Sequence, residues 1–468
     1  MTRKATHIVG LGASAGGIQA LKAFFSQVQD EPDMAFVVVT HLSPDRESLL
    51  HDVIGHFTTL PVEVIKDGDP VQAGVVHVMP EHVSLSIKDG RLRLLEVDPA
   101  LRERKPIDGF FSALAVDQEE RAIGIVLSGL GDDGTLGLQA IKTLGGITFA
   151  QVAGDSALDH PQMPDSAIAS GAVDFTLPAE QMPQKLRDLQ KAAVALDALL
   201  PGQEPRSAKG AQKRLQVEIS QLLRNHSGRD FAGYKSQTFF RRVARRMQVA
   251  LTPTPEAYVE RLRTDPAEVI ALFRDLLISV TDFFRDKDAF KALSKQVIPS
   301  LLAKRGADDV VRIWVPGCAT GQEAYSLAML IRENMDGLST FPKVQIFATD
   351  IDEPALTIAR RARYPNISLK NVSEERKQRF FCQDGESQIL DLEIRDMCIF
   401  SAHSLTSDPP FSQMDLVSCR NLLIYFGTEL QQRAIQTFHY ALKPGGFLFL
   451  GSSESLGQQD DLFTASNK

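Results

Sequence analysis

Short apolar runs that end in glycine, histidine or aspartate and then pass into a mixed polar pattern recur along the chain. Parallel strands with both faces covered, alternating with helices, read this way. His-Ile-Val-Gly-Leu-Gly-Ala-Ser14 feeds the turn Ala-Gly-Gly and a helix, and Ala-Phe-Val-Val-Val-Thr ends in His41. Ala-Ile-Gly-Ile-Val-Leu-Ser-Gly-Leu-Gly ends in Asp132 and Asp133, ahead of a helix from about Thr135. A helical pattern runs from Leu186 to Leu200. Further on, Val310 to Pro316 opens into Gly317-Cys-Ala-Thr-Gly321 and an apolar helix, and the next strand, Val344 to Thr349, ends in Asp350-Ile-Asp352.

Two such strand and helix series exceed one domain, and 468 residues with 43% hydrophobic content are ample for separate cores. The stretch Leu200-Pro-Gly-Gln-Glu-Pro-Arg-Ser-Ala-Lys-Gly-Ala breaks the periodicity with Pro, Gly and charge, so residues 193–212 are expected to be a flexible linker after a first domain at 1–192. No apolar run approaches the roughly 20 residues of a membrane span, and the start lacks a secretory apolar core, so a cytoplasmic protein without membrane insertion is expected. A net charge of −8 argues against a nucleic-acid protein. Cys318, Cys382, Cys398 and Cys419 form no CxxC pair, so neither a disulfide framework nor a metal site is expected.

The glycine turn after Ser14 presents a nucleophile, because Gly16 and Gly17 permit a sharp bend and the first free N–H groups of a helix can hold a developing oxyanion. A phosphate-binding turn is the rival reading, since Gly10-x-Gly12 followed by Gly16 also fits. The next strand favours hydrolysis: a dinucleotide site wants an acid at that strand's end, and His41 stands there instead, as a base would. Asp132 or Asp133 could orient the imidazole or simply cap the helix near Thr135. Taken jointly, serine, histidine and aspartate at strand ends of one α/β domain favour a triad.

On these motifs residues 4 to 190 resemble the catalytic domain of the CheB-type chemoreceptor methylesterases. The resemblance makes Ser14 the nucleophile, His41 in Thr-His-Leu-Ser-Pro the base and Asp133 in Gly-Leu-Gly-Asp-Asp-Gly the third member. It assigns the amides of Ala15 and Leu130 to the oxyanion site, with Ala15 standing where the family often has threonine. Lys105-Pro-Ile-Asp108 and Gln-Met163-Pro164 would wall the cleft, and His77 and His82 are read as packing or surface residues. Such enzymes hydrolyse methyl esters of protein glutamates and can deamidate glutamine; the receiver domain that usually precedes them is not expected here.

In the second half the acid at the strand tip, Asp350, suits a ribose, and the loose glycine spacing without a Walker lysine favours S-adenosylmethionine over a dinucleotide or ATP. Ser279-Val-Thr281-Asp-Phe-Phe-Arg285-Asp and Cys419-Arg-Asn421-Leu-Leu-Ile-Tyr425-Phe, with this turn, resemble the CheR-type receptor methyltransferases from about residue 213 to the end. The resemblance implies a helical subdomain at 213–290 and a methyltransferase domain at 291–468 that turns S-adenosylmethionine into S-adenosylhomocysteine. Thr281 and Arg285 would meet the methionine end of the cofactor, Glu323 its amino group and Asp350 the ribose, while Ser404, Leu405, Asn421 and Leu422 would lie along it. Arg285 and Tyr425 would line the methyl-transfer site, although Tyr425 could equally be a core aromatic. Ser404 stands where the family usually has asparagine or aspartate, for an expected loss of about 1 kcal/mol in cofactor binding. Residues Phe381 to Phe400 should hold a small antiparallel insertion, shorter than in members that grip receptor tails.

Arg241, Arg242, Arg245 and Arg246 would form two basic ridges on one helix face, either a solvated surface or a dock for an acidic receptor surface. The fold class expected is therefore α/β throughout: a doubly wound parallel-sheet esterase domain, then a small helical subdomain and a Rossmann-like S-adenosylmethionine methyltransferase domain. The expected function is opposed methylation and demethylation of a chemoreceptor, with sensor or kinase modules possible downstream of a chain that reads as a fragment. A signalling scaffold whose sites bind without turnover is the alternative, and a metabolic α/β hydrolase a third reading.

Overall fold

The computed structural model describes residues 5–28, 33–41, 50–96, 105–154, 158–196, 206–277, 281–303, 305–384, 387–456 and 459–465. They divide into two compact units, Met1–Gln203 with Phe240–Thr264, and Glu204–Phe239 with Asp265–Lys468.

Among the described residues of the first unit, a seven-stranded sheet runs in the order Val62–Val64, Val76–Val78, Met34–Thr40, His7–Ala13, Ala122–Val126, Ile147–Gln151, Phe175–Leu177, every neighbouring pair parallel. Its central strands are buried at every position, which is why they read as continuous apolar runs. Phe24, Phe25 and Phe36 pack edge to face in one of the unit's hydrophobic clusters, and Phe110 and Phe111 belong to the other. The chain starts in the middle strand, moves out to one side and returns to the other, so the order reverses at His7–Ala13. A crevice at the carboxyl ends of such strands is where open α/β sheets place their sites. The register Ala13↔Thr40 brings Ser14 and His41 to adjacent strand ends.

Among the described residues of the second unit, the main sheet is five-stranded and parallel, in the order Cys398–Ala402, Lys343–Asp350, Val310–Pro316, Met414–Cys419, Leu442–Leu450. Trp314 is fully buried in it, its indole N–H donating to Thr349 Oγ1 at 3.0 Å. Here too the central strand is flanked by a later strand on either side, which sets the switch point at Pro316.

One expectation needs correction. Residues 193–212 are not a continuous flexible linker: helices Met182–Leu196 and Arg206–Ser227 occupy both ends, and 197–205 lie outside the described residues. Phe381 to Phe400 does hold an antiparallel pair, Phe381–Asp384 with Ser387–Leu390, which Arg363–Pro365 extends to three strands, while Cys398–Ala402 at its end is an edge strand of the main sheet. The helical segment Phe240–Thr264 groups with the first unit by its contacts. No described helix is long and apolar enough to cross a membrane, and no described cluster of His, Cys, Asp or Glu could hold a metal ion.

Candidate active sites

Ser14 follows the strand His7–Ala13, and its N–H donates to Ser128 O at 2.9 Å, which ties the turn to the next loop along the sheet. Gly16 has φ 73°, and a Cβ there would lie 2.7 Å from Ser128 Oγ. A Cβ on Gly129 would lie 2.1 Å from Met163 Sδ and 2.9 Å from Ser14 Cβ. Glycine at both places is thus a condition of close approach, and the amide of Leu130 follows directly. Neither Ala15 N–H nor Leu130 N–H donates to any group among the described residues.

His41 Nδ1 stands 3.2 Å from Ser14 Oγ, and His41 Nε2 stands 2.7 Å from Asp133 Oδ2. Asp133 is buried and also accepts the N–H groups of Ile107 at 3.0 Å, Asp108 at 2.8 Å and Gly134 at 2.9 Å. The carboxylate holds the proton on Nε2 and leaves the Nδ1 lone pair toward the serine. It is also a cap, though not for the expected helix: Ile107 and Asp108 belong to the first turn of Pro106–Gln118, whose Asp133 partner sits at the positive end of its dipole. Asp132 instead pairs with Lys105, 2.5 Å apart. Beneath them Asp108 is fully buried; burial first, and the Asp133 charge second, push its carboxyl up to about 7. His77 is buried in its strand, and burial lowers it to about 4; His82 is exposed.

The four arginines do not form an open basic face. Arg245 is 3% exposed, its Nε donates to Gly146 O at 3.0 Å and its Nη2 pairs with the buried Asp174. Burial acts to raise the Asp174 carboxyl, but Arg245 and Lys142 outweigh it and hold the group below the ordinary carboxylate range. Arg242 donates to the carbonyls of Lys142 and Thr143, Arg241 meets Glu119 and Glu120, and Arg246 is half-buried and also engaged. Arg242 and Arg245 bind chain carbonyls and Asp174 of their own unit, as a helix end takes cationic partners for its last carbonyls, while Arg241 stays largely exposed.

In the second unit a cleft gathers Thr281, Arg285, Glu323, Asp350, Ser404, Leu405, Asn421, Leu422 and Tyr425. The residues expected from separate motifs thus meet at one place; Ser279 and Val280 lie outside the described residues. Gly317 and Gly321, at φ 70° and 94°, bend the backbone between strand and helix, and Ala319 between them is held at φ 47°. Asp350 Oδ2 accepts Ala319 N–H at 2.8 Å and Oδ1 accepts Asp352 N–H at 2.9 Å, and burial raises its carboxyl. Glu323 accepts Ser418 Oγ–H at 2.6 Å, and burial pushes it up to about 7 against the pull of Arg420 and Ser418. Ser404 Oγ lies 3.1 Å from Thr406 Oγ1.

Three cleft residues escaped the sequence reading. Tyr234 comes from the helical part, where its backbone bridges to Phe426 and its ring lies 5.3 Å from Phe426. His403 neighbours Ser404 and is held by Pro409 O. Arg420 is buried between Phe290 and Phe449, donates to Arg285 O at 2.9 Å and Asp286 Oδ2 at 2.6 Å, and faces Glu323 Oε2 with Nη1 at 3.7 Å, its Nε and Nη1 making no hydrogen bond among the described residues. Its place before Asn421 was the available signal.

An acid, a histidine and a serine in relay are the arrangement a serine hydrolase uses, and a strand-tip acid beside a glycine turn in a parallel sheet is the arrangement a nucleoside cofactor takes. The CheB methylesterase model matches residues 9–186, the all-alpha domain of the CheR methyltransferases matches 217–277, and their S-adenosylmethionine binding domain matches 279–468. The chemotaxis protein methyltransferase 1 of Pseudomonas aeruginosa is 36% identical over 211 residues, 43% of this chain and 76% of that protein. An uncharacterized 104.1 kDa protein of Rhodobacter capsulatus is 36% identical over 428 residues, 88% of this chain. Those residues are 45% of the Rhodobacter protein, so the chain spans less than half its length. The CheB methylesterase catalytic domain of Thermotoga maritima aligns at 29% identity over 40% of this chain and 99% of that one, with a TM-score of 0.36. The chain belongs to the CheR methyltransferase family and carries a CheB methylesterase domain ahead of it. It therefore joins a CheB methylesterase domain to a CheR methyltransferase domain that binds S-adenosylmethionine in its family.

Proposed function

We propose that the chain sets the methylation level of glutamate side chains on a chemoreceptor or similar signalling protein, with one unit removing methyl groups and the other adding them. The relay from Ser14 through His41 to Asp133, at 3.2 and 2.7 Å, is the observation that carries the esterase half. Ser14 Oγ attacks the ester carbonyl as its proton passes to His41 Nδ1, and the oxyanion forms against the amides of Ala15 and Leu130. The imidazolium, steadied by Asp133, then protonates the departing methoxide, and methanol leaves. Water deprotonated by His41 attacks the acyl-serine and frees the glutamate carboxylate and Ser14. An amide in place of the ester would lose ammonia by the same steps.

The cleft of the second unit fits S-adenosylmethionine by the chemistry of its donor set: carboxylates of Asp350 and Glu323 for hydroxyls and an ammonium, and Arg285 for a carboxylate, with orphaned donors of the buried Arg420 nearby. When bound, the cofactor supplies a methyl group on a sulfonium, which needs no acid to activate it. The chain's task is alignment. Thr281, Ser404, Leu405, Asn421 and Leu422 hold the ends in place, and Arg285 with Tyr425 steadies the substrate carboxylate in its ionised, nucleophilic form.

The test uses wild type and Ser14→Ala with radiolabelled S-adenosylmethionine and a chemoreceptor cytoplasmic fragment, counting alkali-labile label released as methanol. Label that accumulates in the variant but turns over in wild type supports both halves. No label in either protein would sink the receptor reading.

A further inference from the structure

We infer that Glu454 is a positioning residue for the methyltransferase cleft, acting as an internal anion that shapes the wall carrying Asn421 and Leu422. The inference rests on the reading of that cleft as the cofactor site. Glu454 lies beyond the last sheet strand, in Gly451-Ser-Ser-Glu, far along the chain from the loop it serves. Its carboxylate accepts four backbone N–H groups: Asn421 at 2.9 Å and Gly451 at 2.8 Å on Oε2, and Leu422 at 3.0 Å and Leu423 at 2.8 Å on Oε1. Three of these amides are consecutive, the concave arrangement in which successive N–H groups converge on one anion.

Such convergence asks for an unusual backbone, and Asn421 supplies it at φ 59°, a conformation non-glycine residues enter only when the surroundings hold them there. The carboxylate is that restraint. Gly451 makes room for it, because a Cβ there would lie 2.8 Å from Glu454 Oε2 and 3.3 Å from Asn421 N. The shaped loop is pressed against the cleft's other wall: a Cβ on Gly317, in the glycine turn, would lie 2.9 Å from Leu422 Cδ2. Glu454 thus touches no part of the cleft's free space, yet fixes both the loop that lines it and that loop's fit against the turn opposite. A carboxamide of the same shape cannot do this, since its NH₂ would face amide donors with nothing to accept.

Calorimetric titration of the full chain with S-adenosylhomocysteine tests this, with thermal unfolding followed in parallel. Glu454→Gln is expected to weaken binding about tenfold or more while the second unit still unfolds cooperatively, since at least one amide loses its acceptor. Glu454→Asp should recover part of the loss. Gly451→Ala, which keeps the carboxylate but displaces it, should weaken binding in the same direction. Binding within about twofold of wild type in both Glu454→Gln and Gly451→Ala would overturn the role. Loss of the second unit's unfolding transition in both would make Glu454 a folding residue and overturn it as well. Failure of the wild type to bind would instead remove the cofactor reading itself, and the inference with it.

Discussion

Asp133→Asn should inactivate the esterase through the wrong histidine tautomer, and the hydrogen bonds around Asp133 say why. Oδ1 accepts Asp108 N–H and Gly134 N–H, whereas Oδ2 accepts Ile107 N–H and His41 Nε2–H. Asparagine has one accepting oxygen and must choose. With oxygen at the Oδ2 position the tautomer survives, but the NH₂ faces two buried donors, at roughly 1–3 kcal/mol each. With oxygen at the Oδ1 position only Ile107 N–H is orphaned, and His41 Nε2 must accept from the new NH₂, which moves its proton to Nδ1, against Ser14. The second arrangement orphans one donor instead of two and so is favoured by about 1–3 kcal/mol. The variant should therefore fold, less stable by about that amount, and lose roughly 10³–10⁴-fold in kcat, the scale known for a triad aspartate changed to asparagine. Methanol release from a methylated receptor fragment gives kcat, and thermal unfolding gives the stability. A kcat within about tenfold of wild type would refute the reasoning, because the relay would then not depend on the tautomer.

Asp108 has a carboxyl raised to about 7, above its unfolded value, so its protonated form stabilises the fold at low pH and that stability is lost as pH rises through about 7. Asp108→Asn should flatten this slope and exceed wild type in stability at pH 8, as read from thermal unfolding across pH; an unchanged slope would discount the site. Glu323, pushed to about 7, takes a cationic partner when ionised, so S-adenosylmethionine should bind more tightly at pH 8 than at pH 6, and Glu323→Gln should remove that dependence in calorimetric titration. Arg245→Ala leaves the buried Asp174 with Lys142, 3.4 Å away, as its remaining cation and should destabilise the first unit by up to about 3–5 kcal/mol in urea unfolding, since the Arg245 and Asp174 side chains are both 1% exposed. A loss below about 1 kcal/mol would return Arg245 to the surface role first expected of it.

The esterase relay was legible because each member ends an apolar strand, and the strands before His41 and Asp133 flank His7–Ala13 on its two sides, so their ends meet at the switch point. The cofactor cleft was legible for the same reason at Asp350. What escaped were partners chosen by tertiary packing. Asp133 and Asp132 are adjacent before one helix, and nothing local says that Asp133 turns to the N-terminus of Pro106–Gln118 while Asp132 takes Lys105. The amphipathic pattern of Phe239 to Met247 predicted the helix, but not that Arg245 would find Asp174, 71 residues away, and be buried with it. A charge run marks a helix face; only packing decides whether that face meets water or a carboxylate.

The same contrast appears in how the two sites hold their backbone. Around Ser14 the left-handed positions are glycines, Gly16, Gly131 and Gly134, and they announced the turns in the sequence. Around the cofactor cleft Gly317 and Gly321 do so, but Phe284, Asp286, Ala319 and Asn421 occupy the same region of φ without glycine's freedom, at 48°, 62°, 47° and 59°. Each such residue costs of order 1 kcal/mol or more and persists only where neighbours over-determine it. For three of the four, those neighbours are charged groups. Asp350 receives the amide of Ala319, Glu454 receives that of Asn421, and Arg420 grips Asp286 and the carbonyl of Arg285. Buried charge in this unit therefore does conformational work that glycine does in the other. Neutralising Asp350, Glu454 or Arg420 is expected to reshape the cleft and not merely to remove one contact from it.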